Sequence, residues 1–268
     1  MDIDSHAAVP PRAAATTLVV RDGDDGLQVL MVRRSAHASF MPGAYVFPGG
    51  AVDAADAAPA TLALCDETDA ALHERIGRVT EVGALAAGFA VAALRECFEE
   101  CGLWLGAPDH HAAAAQWSAL RARLHAGESL AALAAGAGLT LATSRLQPWS
   151  HWVTPVGLPK RFDTLFFICR VPLGQTPEVD AGETTHLAWV APGAALAAQA
   201  RGEFQMEFAT RSTMQSMLPF AAAGSSALLA HAAAHRALPP LHPRLQRDAQ
   251  GRRIGVLLPG EPGYEAAA

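Results

Sequence analysis

The sequence predicts an α/β protein in which helices are layered against a sheet, with further helices added to that core. Two segments rich in Val, Leu and Thr, residues 16–21 and 27–34, flank the turn-forming residues 22–26 and predict a β-hairpin. A strongly helical pattern covers residues 82–101. Strand-like segments return after residue 145 and are followed by more helical ones. Strands and helices mixed in this order are typical of a layered α/β domain.

Glycine and proline punctuate the first hundred residues. Residues 1–14 are expected to be a flexible lead-in, because Pro10, Pro11 and small residues dominate them. Residues 57–80 form a less regular, partly helical insert that we expect to border a cleft outside the central sheet. Gly102 is expected to end the helix over 82–101 as its C-cap.

The remaining elements follow from the same patterns. We expect two alanine-rich helices over 111–137, strands over 146–154, 162–171 and 187–190, a helix that begins at Pro192, two helices over 207–236 and an irregular tail from Pro239. The chain therefore divides into the lead-in over 1–14, a main domain over 15–205 with insertions at 57–88 and 107–145, and a helical C-terminal extension over 206–268.

The composition excludes several classes of protein. Of the 268 residues, 51% are hydrophobic and 17% are charged, which is enough apolar material for a sizeable core. The net charge of -6 gives no basic surface for general nucleic-acid binding. The longest apolar tract, residues 82–94, is too short for a membrane span, and the N-terminus has no apolar core of signal-peptide length. The four cysteines form no CxxC pair, so we expect reduced thiols in a cytoplasmic protein.

Three glutamates share one side of the helix over 82–101. At about 100° per residue, Glu96, Glu99 and Glu100 occupy an arc about 100° wide. The opposite, apolar stripe consists of Val91, Leu94, Phe98 and Cys101. Arg95 lies beside Glu99 at the i+4 position. Like charges at this spacing repel by about 0.2–0.5 kcal/mol, but clustered carboxylates are the hard oxygen donors that Mg²⁺ and Mn²⁺ prefer. The alternative is a solvated acidic face.

This segment resembles the Nudix box, G-x5-E-x7-R-E-U-x-E-E-x-G-U with U an apolar residue. Residues 95–102 read R-E-x-x-E-E-x-G, and residues 47–50 read F-P-G-G. The resemblance implies a Nudix-type α/β/α sandwich with a mixed sheet, and a metal-dependent hydrolase of nucleoside-diphosphate derivatives. It implies that Glu96, Glu99 and Glu100 bind Mg²⁺ or Mn²⁺. It also implies that Arg95 orients a carboxylate and that the Gly49 carbonyl is a further metal ligand.

The box is interrupted in this chain. Five residues after Gly50 lead to Asp56, where the family has Glu, and the 38 residues 57–94 then precede Arg95, where the family has seven. A long loop insertion costs little closure entropy, so the two parts of the box can still meet. Four acids could take the place of the missing glutamate, and Asp56 is favoured among them: Asp56, Glu67, Glu74 and Glu81.

A box split in this way resembles the branch of Nudix enzymes that includes the coenzyme A diphosphatase of animal peroxisomes. Residues 29–53 and 148–167 are similar to that branch as well. The resemblance implies cleavage of coenzyme A or acyl-CoA to 3′,5′-ADP and (acyl-)phosphopantetheine. A coenzyme A signature known in Nudix enzymes is matched only in part, because Ser39 stands where that signature has Arg. The alternatives are a Nudix hydrolase of NADH or ADP-ribose, and a non-catalytic Nudix module that senses a nucleotide.

Four further residues are candidates for the site. Glu183 precedes a short strand, as does a glutamate of many Nudix enzymes that serves as a metal ligand or general base; the alternative is a surface acid. Arg34, Lys160 and Arg161 are candidate phosphate contacts, and for each the alternative is a solvated charge. The partner we expect is a nucleotide-like small molecule, with neither nucleic acid nor membrane, and with a homodimer left open.

Overall fold

The structure, a computed structural model, describes residues 9–35, 42–76, 85–106, 114–179, 184–235 and 238–267. The strands are β1 Arg12–Gly23, β2 Gly26–Arg34, β3 Tyr45–Val46, β4 Gly49–Ala51, β5 Gln147–Val153, β6 Phe162–Arg170, β7 Thr184–Val190, β8 Arg244–Arg247 and β9 Arg253–Leu257. The α-helices are α1 Pro59–Leu62, α2 Asp69–Ile76, α3 Ala86–Cys101, α4 Ala114–His125, α5 Leu130–Ala137, α6 Pro192–Ala200, α7 Phe208–Met217 and α8 Gly224–Ala234.

The main sheet of the described chain is mixed and is built around β1. The predicted hairpin is confirmed, since β1 and β2 pair antiparallel with Val20 opposite Val29. The first half of β1 pairs instead with β4, where Ala15 lies opposite Gly50. On its other edge β1 runs parallel to β6, and β5 follows β6, while β7 pairs with β2. The Phe-Pro-Gly-Gly segment thus enters the sheet directly beside the central strand.

Alternation along β1 gives the sheet two apolar faces. Val19 belongs to one buried cluster, in which α3 packs through Phe89 and Phe98. Its neighbour Val20 belongs to the other, which α7 and α8 cover through side chains such as Met214. Full burial of one such side chain contributes about 1.5–3 kcal/mol. The result is the expected α/β/α arrangement, with one core on each side of the sheet.

Helix α3 ends where the sequence predicts. Gly102 adopts a left-handed conformation with φ of 68°, and its N–H donates to the Phe98 carbonyl. A left-handed residue favours glycine because it has no Cβ. The helix begins at Ala86, inside the predicted range, whose residues 82–84 lie outside the described chain.

The predicted lead-in over 1–14 is wrong at its end. Residues 12–14 open β1, where Arg12 pairs with Phe162 and Ala14 with Thr164, and Ala14 is buried. Small residues suggest flexibility when considered alone, but here Ala13 packs against the core cluster that contains α3. Residues 1–8 lie outside the described chain.

The insertion at 57–88 contains α1 and α2, and its described residues add no strand to the main sheet, as expected. It does more than border a cleft, however, because Leu72 and Ile76 of α2 are fully buried in the core under α3. Its last three residues, 86–88, are the first turn of α3 and so belong to the core helix. The α2 part of the insertion therefore belongs to the folded core.

The insertion at 107–145 is helical as predicted, and α4 and α5 are the two expected alanine-rich helices. Residues 107–113 lie outside the described chain. The later strands β5, β6 and β7 and the helix from Pro192 are also confirmed.

The prediction of a helical C-terminal extension over 206–268 holds for α7 and α8 but is wrong beyond them. Strands β8 and β9 form an antiparallel hairpin in the segment expected to be irregular. Asp248 organises its turn, because its side chain accepts hydrogen bonds from the N–H groups of Gln250 and Arg252. Proline-rich flanks obscured this local turn in the sequence.

Among the described residues, no single helix meets the length and apolarity needed to cross a membrane, although one sharply bent pair, 208–220 with 224–234, does so when taken together.

Candidate active site

Helix α3 and the glycine segment, residues 47–50, meet beside β1. Thr17 of β1 donates a hydrogen bond from Oγ1 to the carbonyl of Ala93, which fixes α3 against the sheet. The Gly49 N–H donates to Glu100 Oε2 at 3.0 Å. A Cβ placed on Gly50 would lie 2.3 Å from Glu96 Oε1, closer than atoms can approach. Glycine at position 50 therefore leaves the space in which the Glu96 carboxylate lies.

Arg95 organises the acidic side of α3. Its guanidinium binds Asp56 through Nε and Nη2, both at 2.9 Å. Nη1 donates to Glu96 Oε1 at 2.9 Å and to Glu99 Oε2 at 3.0 Å. Nη2 also donates to the Ala51 carbonyl. The predicted i+4 contact is thus confirmed, and one buried cation orients two of the three box glutamates.

Asp56 is the acid that pairs with Arg95 in the interrupted box. It is only 2% exposed, and its carboxylate also accepts a hydrogen bond from the Asp53 N–H. Glu67 instead pairs with Arg75 at 2.7 Å, and Glu74 is exposed. Glu81 lies outside the described residues. The structure therefore supports the choice of Asp56. Asp56 and Arg95 are far apart in the sequence because of the insertion, but they are in contact in the fold.

The glutamate cluster is not a solvated face. The side chains of Glu96 and Glu99 are 16% and 26% exposed, and Glu100 is buried. Burial raises the pKa of Glu96 to about 7, against the opposing effect of Arg95. Burial also raises the pKa of Glu99, and Arg95 again acts in the opposite direction. Crowding partly desolvated carboxylates in this way is unfavourable for the protein alone.

The donor set fits a divalent cation in its chemistry. Three carboxylates lie along one side of α3, and their oxygens are the ligand type that Mg²⁺ and Mn²⁺ prefer. In the described ranges, however, no three His, Cys, Asp or Glu side chains already form a metal-binding group. Arg95 holds one oxygen each of Glu96 and Glu99, and the Gly49 amide holds Glu100. Assignment of these glutamates and the Gly49 carbonyl as metal ligands remains a prediction.

The predicted phosphate contacts are distributed over two parts of the sheet. Arg161 is 9% exposed, and its guanidinium donates to the carbonyls of Thr154 and Val9. It therefore holds the N-terminal segment against the turn between β5 and β6. Lys160 is exposed in that same turn, and Arg34 is half-buried at the end of β2. Their role in substrate binding remains a prediction, and Glu183 lies outside the described residues.

Two buried polar residues, Arg121 and Asp163, were not among the predicted site residues. Arg121 of α4 is 8% exposed and binds backbone carbonyls, including that of Glu99. Its sequence signal was absent, since an arginine in an alanine-rich helix is usually a solvated charge. His151 and Asp163 form a fully buried hydrogen-bonded pair between β5 and β6. An aspartate at an inward-facing position of an apolar strand was a usable signal for that pair.

Comparison with known proteins agrees with this geometry. A family described as the NUDT19 Nudix domain matches residues 7–87 and 84–209. The human acyl-coenzyme A diphosphatase NUDT19 is 30% identical over 214 residues, which cover 64% of this chain and 55% of that protein. The chicken protein of the same name is 29% identical over 204 residues, 61% of this chain and 52% of that one. The chain therefore spans about half the length of the curated relatives it matches.

A solved structure of a Nudix hydrolase is also similar to this chain. The crystal structure of a NUDIX hydrolase from Alicyclobacillus acidocaldarius superposes with a TM-score of 0.65 at 26% identity, over 87% of this chain and 100% of that one. The family match extends over more than half of the chain and includes strands β1 to β7, the glycine segment and α3. On the strength of that match and of the Arg95-centred carboxylate cluster, the chain belongs to the NUDT19-type Nudix domain family.

Proposed function

We propose that this protein is a metal-dependent diphosphatase that hydrolyses the diphosphate linkage of coenzyme A or acyl-CoA. The observation that carries the proposal is the partly desolvated cluster of Glu96, Glu99 and Glu100, organised by Arg95 beside the glycine segment. A folded protein gains no stability from crowding like charges, so such a cluster indicates a cationic ligand.

Divalent cations bound there would neutralise the diphosphate and lower the pKa of an attacking water. The chain's own residues have separate parts in this proposal. Glu96, Glu99 and Glu100 would hold the cations, and Gly50 leaves the room that the Glu96 carboxylate needs. Arg95 Nη1 donates to both the Glu96 and the Glu99 carboxylate and so keeps the two side by side. Glu100 and Glu183 are the candidates to accept the proton of the attacking water.

The choice of coenzyme A is supported by the relatives. Human and chicken proteins similar to this chain are both called acyl-coenzyme A diphosphatases. Coenzyme A carries a 3′-phosphate besides its diphosphate, and fixed cations must meet that group. Arg34 and Lys160 are the candidates, because the Arg161 guanidinium is buried against the Thr154 and Val9 carbonyls. The products would be 3′,5′-ADP and (acyl-)phosphopantetheine.

A second candidate is a Nudix hydrolase of NADH or ADP-ribose. It is favoured by Ser39, which stands where the coenzyme A signature has arginine. A non-catalytic nucleotide sensor is disfavoured, because the three box glutamates and Arg95 are all retained.

The experiment that tests the proposal is a product screen by mass spectrometry with Mg²⁺ or Mn²⁺. Coenzyme A, an acyl-CoA, dephospho-coenzyme A, NADH and ADP-ribose are compared, each with and without EDTA. We expect 3′,5′-ADP from coenzyme A, and loss of product in EDTA. Faster turnover of NADH or ADP-ribose would move the assignment to the second candidate, and full activity in EDTA would contradict the metal-dependent mechanism.

A further inference from the structure

The buried arginine of α4 makes an unusual set of contacts. Arg121 is 8% exposed, and its guanidinium donates four hydrogen bonds to backbone carbonyls. Nε and Nη2 donate to the carbonyl of Glu99 at 2.9 and 2.7 Å. Nη1 donates to the carbonyls of Glu178 and Val179 at 3.1 and 3.2 Å. One side chain from the 107–145 insertion thus joins the end of α3 to the segment that follows β6.

Together with two backbone hydrogen bonds, these contacts provide donors for three of the last four carbonyls of α3, those of Phe98, Glu99 and Cys101. The last four carbonyls of an α-helix have no partner within the helix. Here the Gly102 N–H donates to the Phe98 carbonyl, and the Glu178 N–H donates to the Cys101 carbonyl at 2.9 Å. Arg121 supplies the donor for Glu99, and its positive charge also lies at the negative end of the helix dipole. We call this arrangement the α3 clasp, formed by Arg121, Gly102, Glu178 and Val179.

The α3 clasp lies on the turn that carries two of the box glutamates. Glu99 is held at both ends, since Arg95 binds its side chain and Arg121 binds its carbonyl. Glu100 follows directly, and its side chain is tied to the Gly49 amide. Fraying of this turn would displace both carboxylates together. Terminal turns fray readily when their carbonyls have no partners.

We propose that Arg121 is a positioning residue for catalysis, which holds the last turn of α3 so that Glu99 and Glu100 keep their places. The inference rests on the proposed function, because it assumes that these two carboxylates act in hydrolysis. Arg121 acts through the backbone, because its four hydrogen bonds go to carbonyls and none goes to a glutamate side chain. Lysine cannot replace it, because a single ammonium lacks the planar fork that donates to several carbonyls at once.

The test compares Arg121→Lys and Arg121→Gln with two control variants from the same helix. Arg123→Ala removes an exposed arginine whose ion pair with Glu128 lies on the surface, so it controls for charge. Leu124→Ala removes a buried apolar side chain, so it controls for loss of stability. Each variant is examined for kcat and KM with coenzyme A, for melting temperature, and for amide hydrogen exchange of residues 98–102.

We expect both Arg121 variants to lose about 10- to 100-fold in kcat, with KM changed less than about twofold, because a misplaced catalytic group affects the reaction more than binding. Amides near the end of α3 should exchange faster in these variants only. Arg123→Ala should behave as the wild type. Leu124→Ala should lower the melting temperature and retain kcat below its transition.

Three results would separate the possible failures. Equal loss of kcat in Leu124→Ala at a matched melting temperature would overturn the positioning role, because stability alone would explain the effect. Unchanged exchange at 98–102 in Arg121→Gln would overturn the α3 clasp itself. Absence of hydrolysis by the wild type would refute the proposed function instead, while the exchange measurement would still decide the α3 clasp.

Discussion

The two halves of α3 are buried to a similar degree but for different reasons. Residues 86–94 are small or apolar and all buried, and they pack against the sheet and α2. Residues 95–101 contain one arginine and three glutamates, of which Arg95 and Glu100 are also buried. Burying an apolar side chain stabilises the fold, whereas burying a charge costs free energy unless it is paired. The second half of the helix therefore accepts an unfavourable charge distribution that the first half avoids.

The largest expected effect is a loss of kcat without a loss of stability, caused by substitutions in the second half of α3. Glu99→Gln and Glu100→Gln should each lower kcat by more than the ~10- to 100-fold that loss of an outer-shell partner of a metal site causes. The melting temperature should stay the same or rise for Glu99→Gln, because one of the crowded charges is removed. Steady-state kinetics and thermal unfolding measure both quantities. Glu203→Gln, an exposed glutamate paired with Arg201, is the control, and retained activity in either box variant would contradict the assignment.

Arg95→Met should affect both activity and stability. It leaves Asp56 buried without its partner, which costs about 3–5 kcal/mol of unfolding free energy for a buried pair. The double variant Arg95→Met/Asp56→Leu should recover most of that stability but none of the activity, because Glu96 and Glu99 still lack their orienting cation. Urea unfolding of the three proteins measures this. Recovery of activity in the double variant would show that Arg95 serves the fold alone.

Phe89→Ala probes the apolar half of the same helix. Phe89 is fully buried, and its truncation should cost about 3–5 kcal/mol. The kcat per folded molecule should change little, because the carboxylate end is held by the sheet and by Arg95. Activity is measured below the transition and normalised to the folded fraction from circular dichroism. A loss of kcat as large as that of the glutamate variants would remove the distinction between the two halves.

Leu72→Ala tests whether the 57–88 insertion belongs to the core. Leu72 is fully buried beneath α3, so its truncation should destabilise the protein by about 2–5 kcal/mol. The exposed Glu74 lies two residues away on the same helix, and Glu74→Ala should change the unfolding free energy by less than about 0.5 kcal/mol. A cost below about 1 kcal/mol for Leu72→Ala would restore the view of the insertion as a peripheral border.

The parts of the molecule that the sequence predicts well are those whose signals are local. The β1–β2 hairpin and the end of α3 at Gly102 depend on neighbouring residues, and both were predicted correctly. Asp56 was favoured as the replacement for the missing box glutamate only because the family pattern pointed to it. Its pairing with Arg95, from which 38 residues separate it, was not predicted.

Contacts between distant segments were harder to predict. The role of Arg121 depends on α4 meeting both α3 and residues 178–179, and nothing near Arg121 in the sequence indicates that. The α2 side chains were misjudged for the same reason, because a short irregular insert does not reveal what lies over it. Tertiary contacts of this kind decide burial, and burial decides which charges are functional candidates.

The most direct test is a titration of the protein with Mn²⁺ in the absence of substrate. Electron paramagnetic resonance measures the concentration of free Mn²⁺ at each step. The charged half of α3 is proposed to be a cation site. Wild-type protein should bind Mn²⁺, and Glu99→Gln and Glu100→Gln should each weaken the affinity by at least about tenfold, since each loses one charged oxygen donor. Failure of the wild type to bind Mn²⁺, or equal affinity in the wild type and both variants, would contradict it.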